Sequence, residues 1–170
     1  VWHSGTASNT IAGNYIGVDI SGTRALGNRG NGVVVGDGAH HNQIGGSAVG
    51  DRNIISGNWE HGVGIWNTGS EFNAVIGNYV GVDMSGNVRL GNGASGIALD
   101  HGASRNRVGG SRAAERNVVG DNRWDGISLW NAETVSNTIT GNYIGIGADG
   151  LTRVGNYGSG VGIVRAQFNV

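Results

Sequence analysis

The chain has 170 residues and a formal net charge of −1, and it contains no Lys, Pro or Cys. A nearly neutral chain with scattered arginines gives no electrostatic reason to expect nucleic acid or membrane insertion. The absence of Cys excludes disulfides, thiolate metal sites and thiol nucleophiles. The 35 Gly would suit a disordered chain, but Val, Ile and Leu recur at regular places throughout, which indicates a folded core.

The sequence repeats itself at a fixed interval. The phrase Gly-Asn-Tyr-Ile-Gly-Val-Asp around Asn14 returns with small changes around Asn78 and again around Asn142, an offset of 64 residues each time (78 − 14 = 142 − 78 = 64). The phrase Leu-Gly-Asn at 26–28 returns at 90–92 and, as Val-Gly-Asn, at 154–156. Such regular recurrence indicates stacked structural repeats.

Three short strand signals follow one another in chain order and then recur. The first begins at Asn9, Asn42, Asn73, Asn106 and Asn137, and the second at Asn14, Asn53, Asn78, Asn117 and Asn142. The third is an apolar phrase at 33–35, 63–65, 97–99, 127–129 and 161–163, with spacings of 30, 34, 30 and 34 residues. Two coil types therefore alternate within the 64-residue unit, with long loops at different corners, such as 83–89 and 110–115.

These signals predict an all-β fold, a right-handed parallel β-helix of about five coils with three short strands in each. Single strands this short cannot stand alone, but stacking each one on its counterpart buries a continuous apolar column. We expect one inward column of Val35, Ile65, Leu99, Leu129 and Ile163, and another of Ile11, Ile44, Val75, Val108 and Ile139. Stacked Asn at a corner is expected to hydrogen-bond along the axis. We interpret 1–170 as a single β-helix domain, cut from a longer repeat array.

The order of motifs, from Asn-Tyr-Ile-Gly-Val-Asp through Asn-x-Ile-Gly-Gly to Arg-Asn-Ile-Ile-Ser-Gly-Asn, resembles the repeat of large secreted or surface proteins of bacteria. Those proteins belong to the pectate-lyase-like group of right-handed β-helices. The resemblance implies an extracellular or cell-surface location. It leaves the activity open, because that group includes lyases, hydrolases, epimerases and adhesins.

Our first functional hypothesis is a structural or adhesive segment of an extracellular protein. Its partner would be another copy joined through the β-helix ends, giving a filament, or a continuation of the same chain. The alternatives are a polysaccharide-binding module and a polysaccharide-active enzyme of the lyase type. Whether the chain is an enzyme stays open, with the sequence weighing against it.

Aromatic residues supply the candidates for glycan binding. Trp2, Trp66 and Trp130 keep the 64-residue offset and follow inward positions, so we expect them to lie outward or at a corner, where flat rings could stack on sugars. Tyr15, Tyr79 and Tyr143 share that offset. Packing against the loops is the competing interpretation for both sets.

Two equivalent loops carry Asp-x-Ser-Gly, at Asp19 and Asp83. Such a loop could offer oxygen ligands to calcium, the one cofactor that we consider. Turn formation by the Asp side chain explains the same residues without a metal.

An active site should interrupt the repeat, and the segment after the third strand is the least regular surface. Stacking is expected to bring Asp37, His101 and Arg165 roughly into line along the axis, with Arg105 nearby. Such a set could supply a proton-abstracting base and an Arg for a sugar carboxylate. The competing interpretation is a solvated face that tolerates variation.

Overall fold

The computed structural model describes all residues from 1 to 170 and shows a parallel β-solenoid of about five coils. Each coil contributes one short strand to each of three parallel sheets. Sheet I contains β1 (Thr10–Ile11), β4 (Gln43–Gly45), β7 (Ala74–Ile76), β10 (Arg107–Gly109) and β13 (Thr138–Thr140). Sheet II contains β2 (Tyr15–Ile16), β5 (Ile54–Ile55), β8 (Tyr79–Val80), β11 (Val118–Val119) and β14 (Tyr143–Ile144). Sheet III contains β3 (Val33–Gly36), β6 (Val63–Trp66), β9 (Ile97–Asp100), β12 (Ile127–Trp130) and β15 (Val161–Val164).

The predicted fold class is confirmed, and so is the pairing of equivalent segments. In sheet III, Val35 pairs with Ile65 and Ile65 with Leu99, so the alternating phrases stack in register. In sheet II, Asn14 and Asn78 lie at the same corner two coils apart, with Asn53 between them, because β2 pairs with β5 and β5 with β8. The parallel register is what the equal spacing of repeat phrases predicted.

The main core is a cluster of 16 buried apolar residues inside the coils, and a smaller cluster of five lies around Tyr79 and Val82. Val35, Ile65, Leu99 and Leu129 are fully buried, as are Ile44, Val75 and Val108 in the second predicted column. The last member of the first column, Ile163, is 53% exposed because no coil covers it. Burial of each interior residue therefore depends on the coils above and below it.

Asparagine side chains stack at three corners of the solenoid. Only two of these stacks were predicted from the sequence, namely the two Asn series that begin strand signals. In each stack, the side-chain amide of one Asn donates to Oδ1 of the Asn one coil later, at 2.8–3.1 Å. Ladder 1 consists of Asn9, Asn42, Asn73, Asn106, Asn137 and Asn169. Ladder 2 consists of Asn14, Asn53, Asn78, Asn117 and Asn142. Ladder 3, which the sequence analysis missed, consists of Asn28, Asn58, Asn92, Asn122 and Asn156.

The two alternating coil types differ in their loops. Coils 1, 3 and 5 carry a long loop between sheets II and III, which folds back on itself through an antiparallel bridge such as Val82 to Arg89. Coils 2 and 4 instead carry a single 3-10 turn between sheets I and II, at Val49–Asp51 and Ala113–Glu115. These turns are the only helical segments, and neither could span a bilayer.

Candidate functional site

The outer face of sheet III holds an aromatic groove across coils 2 to 4. Its volume is about 400 Å3. Because successive strand residues point to opposite faces, burial of Ile65 and Leu129 in the core turns Gly64, Ala98 and Ser128 outward. These small residues form a floor that leaves room above it. The lining of this sheet III groove is His61, Trp66, Asn67, Ala98, Asp100, His101, Trp124, Ser128 and Trp130.

One wall of the groove is a row of three side chains, Trp66, Asp100 and Trp130. Each is the last residue of its sheet III strand, and the three strands belong to consecutive coils. Trp66 pairs with Asp100 in the sheet register, and Trp130 occupies the same place one coil later. The Trp66 ring lies over its own strand, against Gly64. Trp2, by contrast, lies over the neighbouring coil at Gly36. The next coil offers Gly36 beside Trp2, which leaves space for the ring, but Asp100 beside Trp66, which carries a side chain. The rings of Trp2 and Trp66 therefore point in different directions.

The other wall comes from residues that precede the sheet III strands, His61 and Trp124. The His61 ring makes edge-to-face contacts with Trp66 and Trp124, with ring centres 6.1 and 5.9 Å apart. Such contacts fix the relative orientation of the rings. His61 therefore joins the two walls at one end of the groove.

The protonation of His61 is set by its surroundings. Burial lowers the pKa of His61 below its usual value, while the negative charges of Glu60 and Asp100 act in the opposite direction. Nδ1 of His61 accepts a hydrogen bond from the backbone N–H of Ser95 at 3.1 Å. An accepting Nδ1 carries no proton, so the neutral ring bears its proton on Nε2 and acts there as a donor.

Asp100 is the only acidic residue that lines the groove. Its Oδ1 accepts hydrogen bonds from the side-chain amide of Asn131 and from the backbone N–H of His101. Its Oδ2 lies 3.1 Å from Nδ1 of His101. No arginine lines the groove, and the chain contains no lysine. The groove thus combines aromatic surface, hydroxyl, amide and imidazole groups, and one carboxylate.

The candidate catalytic residues Asp37, His101 and Arg165 occupy one corner, directly after the sheet III strands. All three have left-handed backbone angles, with φ of 52°, 52° and 62°. Asn67 and Asn131 take the same conformation at this corner in the intervening coils. The corner therefore demands a backbone geometry that Asn, Asp and His adopt more often than other residues, which accounts for the row, apart from Arg165, without catalysis.

The contacts of these residues tie them to different neighbours. Asp37 accepts a hydrogen bond from Asn67 and lies 3.8 Å from His3, whereas His101 pairs with Asp100. Arg105 lies at a separate corner, where it forms a 3.0 Å ion pair with Glu71 and faces the Phe72 ring. Of the four catalytic candidates, only His101 lines the groove.

The loop carboxylates bond within their own loops. Oδ1 of Asp19 accepts from the Ser21 hydroxyl at 2.8 Å and from the backbone N–H of Thr23 and Arg24. Asp83 repeats this pattern with Ser85, Asn87 and Val88. No group of three or more His, Asp or Glu side chains in the structure is arranged to hold a metal ion. Turn formation accounts for both residues.

The tyrosine row lies on sheet II, away from the groove. The Arg52 guanidinium is 4.1 Å from the centre of the Tyr79 ring, and Arg116 is 4.0 Å from that of Tyr143. Tyr79 is 8% exposed, whereas Tyr15 is 47% exposed. Two of the three rings are therefore packed under arginines.

Sequence reasoning identified Trp66 and Trp130 but missed His61, Asp100 and Trp124 as members of one site. His61 and Asp125 are equivalent by the 64-residue offset (125 − 61 = 64), and each accepts a backbone N–H from an equivalent serine, Ser95 or Ser159. Aligning the two repeat units residue by residue would have marked His61 as a departure. Trp124 likewise departs from the repeat, because the position 64 residues earlier holds Glu60.

Searches of protein-family models, curated proteins and solved structures found no match to this chain.

Proposed function

We propose that this chain is a rigid segment of a structural or adhesive rod, extended by adding coils at its ends. The observation that carries this proposal is the continuity of the three asparagine ladders along the whole solenoid. Each ladder runs in one direction, with amide donors facing later coils. We also propose that the protein is extracellular and bacterial and that it is related to the pectate-lyase-like β-helices. Both parts of this proposal rest on the sequence resemblance.

The two ends of the solenoid are chemically complementary. At the first coil, Oδ1 of Asn9, Asn14 and Asn28 has no preceding amide to accept from. At the other end, the side-chain amides of Asn142 and Asn156 donate only to backbone carbonyls. A further coil, from the same chain or a second molecule, would bond these groups and cover the exposed Ile163 and Val161. Uncovered strand edges of this kind favour association.

Sedimentation velocity over a dilution series, with electron microscopy, tests end-on association. We expect species larger than 17.4 kDa that grow with concentration and appear as rods. Ile163→Lys places a charge on the last coil and should return the protein to a monomer. Leu151→Lys, in an exposed loop, is the matched control and should associate like the wild type. A wild-type protein that stays monomeric at every concentration would contradict end-on association.

A second candidate function is glycan binding, which the sheet III groove favours. Open grooves lined by aromatic rings and a few polar groups are typical of ligand sites. A glycan array, followed by incubation with uronic-acid polymers, separates the alternatives. Binding without unsaturated products supports a binding module, and release of such products that is lost in His101→Ala would support a lyase. Arg165→Ala is the second variant for that enzymatic alternative.

A further inference from the structure

We propose that the sheet III groove binds an uncharged glycan, with two non-adjacent sugar rings of one chain against Trp66 and Trp130, and disfavours acidic glycans. This inference rests on the second candidate function, glycan binding, and specifies the ligand class. It departs from the polysaccharide-lyase alternative, which requires a site for a uronate carboxylate.

The spacing of the two tryptophans suits a chain of rings. Trp66 and Trp130 occupy one row and are separated by the strand of Asp100. Two interstrand steps put equivalent positions about 10 Å apart along the axis. The floor between them, at Ala98 and Ser128, carries only small side chains. A flat ligand can therefore approach both rings without displacing protein atoms.

The polar groups of the groove suit hydroxyl groups. Neutral His61 presents an N–H donor at Nε2, because its Nδ1 is occupied by the Ser95 N–H. The Ser128 hydroxyl, bonded to that of Ser95 at 3.1 Å, and the Asn67 amide lie in the same lining. Sugar hydroxyls both donate and accept, so they can satisfy each of these groups.

Charge determines which glycans fit. A uronate carboxylate in the groove would face the Asp100 carboxylate. No arginine lines the groove to compensate it, and the imidazole of His101 is already paired with Asp100. Two like charges about 4 Å apart at a site that partly excludes water repel strongly enough to weaken binding roughly tenfold or more. A neutral hexose, which carries a primary alcohol where the uronate carries its carboxylate, meets no such repulsion.

An organic cation is the competing ligand class, because aromatic faces and a carboxylate also attract quaternary ammonium groups. Such a ligand requires rings that surround a single point. Here the tryptophans are distributed over coils 2 to 4 of an open groove, which suits an extended ligand better. Choline is therefore included in the test as a competitor.

The test compares a neutral oligosaccharide with its acidic counterpart. The strongest neutral hit from an array of unsubstituted hexose oligomers is oxidised at its primary hydroxyls, so that only the charge and oxidation state at that carbon change. Affinities are measured by calorimetry at pH 8, well above the ordinary histidine pKa of about 6.5. We expect oxidation to weaken binding about tenfold or more at low salt and less at high salt.

The Asp100→Asn variant identifies the source of this selectivity. The amide oxygen of Asn can still accept from Asn131 and from the His101 N–H, so the corner is kept. We expect the penalty for the oxidised ligand to fall to about threefold or less and to lose its salt dependence. Glu133→Gln removes an exposed carboxylate outside the groove and should retain the full penalty.

Four results would overturn the inference, and they differ in which other proposal they contradict. Wild-type preference for the oxidised ligand, or an unchanged penalty in Asp100→Asn, would contradict the charge selectivity while glycan binding stands. Binding of choline in place of any glycan would assign the groove to a cation. No binding of any array glycan would remove both glycan binding and this inference, and the rod proposal would still be decided by sedimentation.

Discussion

The asparagine ladders and the sheet III groove are built on the same coils, yet they follow the repeat to different degrees. Every coil supplies one Asn to each ladder, and the central members such as Asn78 and Asn117 are fully buried. At the ends of the sheet III strands, by contrast, equivalent positions hold Gly36, Trp66 and Asp100 in successive coils. Positions that must bond to their own counterpart stay constant, whereas positions that face solvent differ and create a site. Substitutions that separate folding from binding test this contrast.

The largest expected effect comes from the apolar core beneath both regions. Leu99→Ala removes a fully buried side chain that packs between two neighbouring coils. Loss of buried surface and the cavity left behind should lower the free energy of unfolding by about 2–5 kcal/mol. Urea denaturation followed by circular dichroism measures this change. Leu151→Ala, whose side chain is 87% exposed, is the control and should leave stability nearly unchanged.

A ladder substitution should come next. In Asn78→Ala, the amide of Asn53, the carbonyls of Ile44 and Ile76 and Oδ1 of Asn117 each lose a buried partner. Buried groups left without partners should lower the free energy of unfolding by about 2–3 kcal/mol. Asn14→Ala, in the exposed end coil of the same ladder, should cost about 1 kcal/mol or less. Equal losses in the two variants would contradict a role for burial in the ladder.

The Asp83 loop should have a smaller effect that depends on pH. Burial raises the pKa of Asp83, but hydrogen bonds from the Ser85 hydroxyl and from the backbone N–H of Val88 and Asn87 outweigh it, so the net pKa lies below the ordinary 3.8. The lowered pKa in the folded state adds stability above pH 3.8, and this stability is lost as the pH falls through the folded value.

Urea denaturation between pH 2 and 7 measures the Asp83 contribution. Asp83→Asn should cost about 1 kcal/mol at pH 7 and should flatten the acid side of the stability profile. Parallel profiles for the wild type and the variant would show that the carboxylate contributes nothing through its charge.

The smallest expected effect on folding comes from the groove itself. Trp124 is 53% exposed, so Trp124→Ala should change the free energy of unfolding by no more than about 0.5 kcal/mol. The same change removes an aromatic wall and should weaken binding of the neutral glycan by about tenfold. A Trp124→Ala protein that is strongly destabilised but binds the glycan normally would contradict the assignment of the groove to binding rather than to folding.

The sequence predicted the solenoid well because its fold depends on features that recur. The fixed offset of 64 residues between Asn14 and Asn78, and between Ile65 and Leu129, directly indicates which residues share one column. Ladder 3 escaped because Asn58 and Asn122 stand in phrases unlike the Leu-Gly-Asn of Asn28. Their equivalence depends on loop lengths that differ between coil types, and only the folded chain shows where those loops return.

The groove was only partly predictable, for the opposite reason. Trp66 and Trp130 recur and were recognised, whereas His61 and Asp100 each belong to a single coil. Asp100 ends a sheet III strand at the position where the coils on either side have Trp66 and Trp130. Its proximity to His61 follows from the parallel register rather than from spacing along the chain. Side chains that depart from a repeat require three-dimensional placement before they identify a site.

One nitrogen–proton correlation experiment observes both regions at once, since it detects the side-chain amides of Asn and the indole N–H of Trp. Spectra are recorded during hydrogen exchange and then with the neutral glycan. We expect slow exchange and unchanged shifts for the amides of Asn78, Asn92 and Asn117, together with ligand-induced shifts for the indoles of Trp66 and Trp130. Ladder amides that exchange as fast as that of Asn14, or ligand shifts confined to the ladders, would contradict the division between a repetitive scaffold and a site made by departures from it.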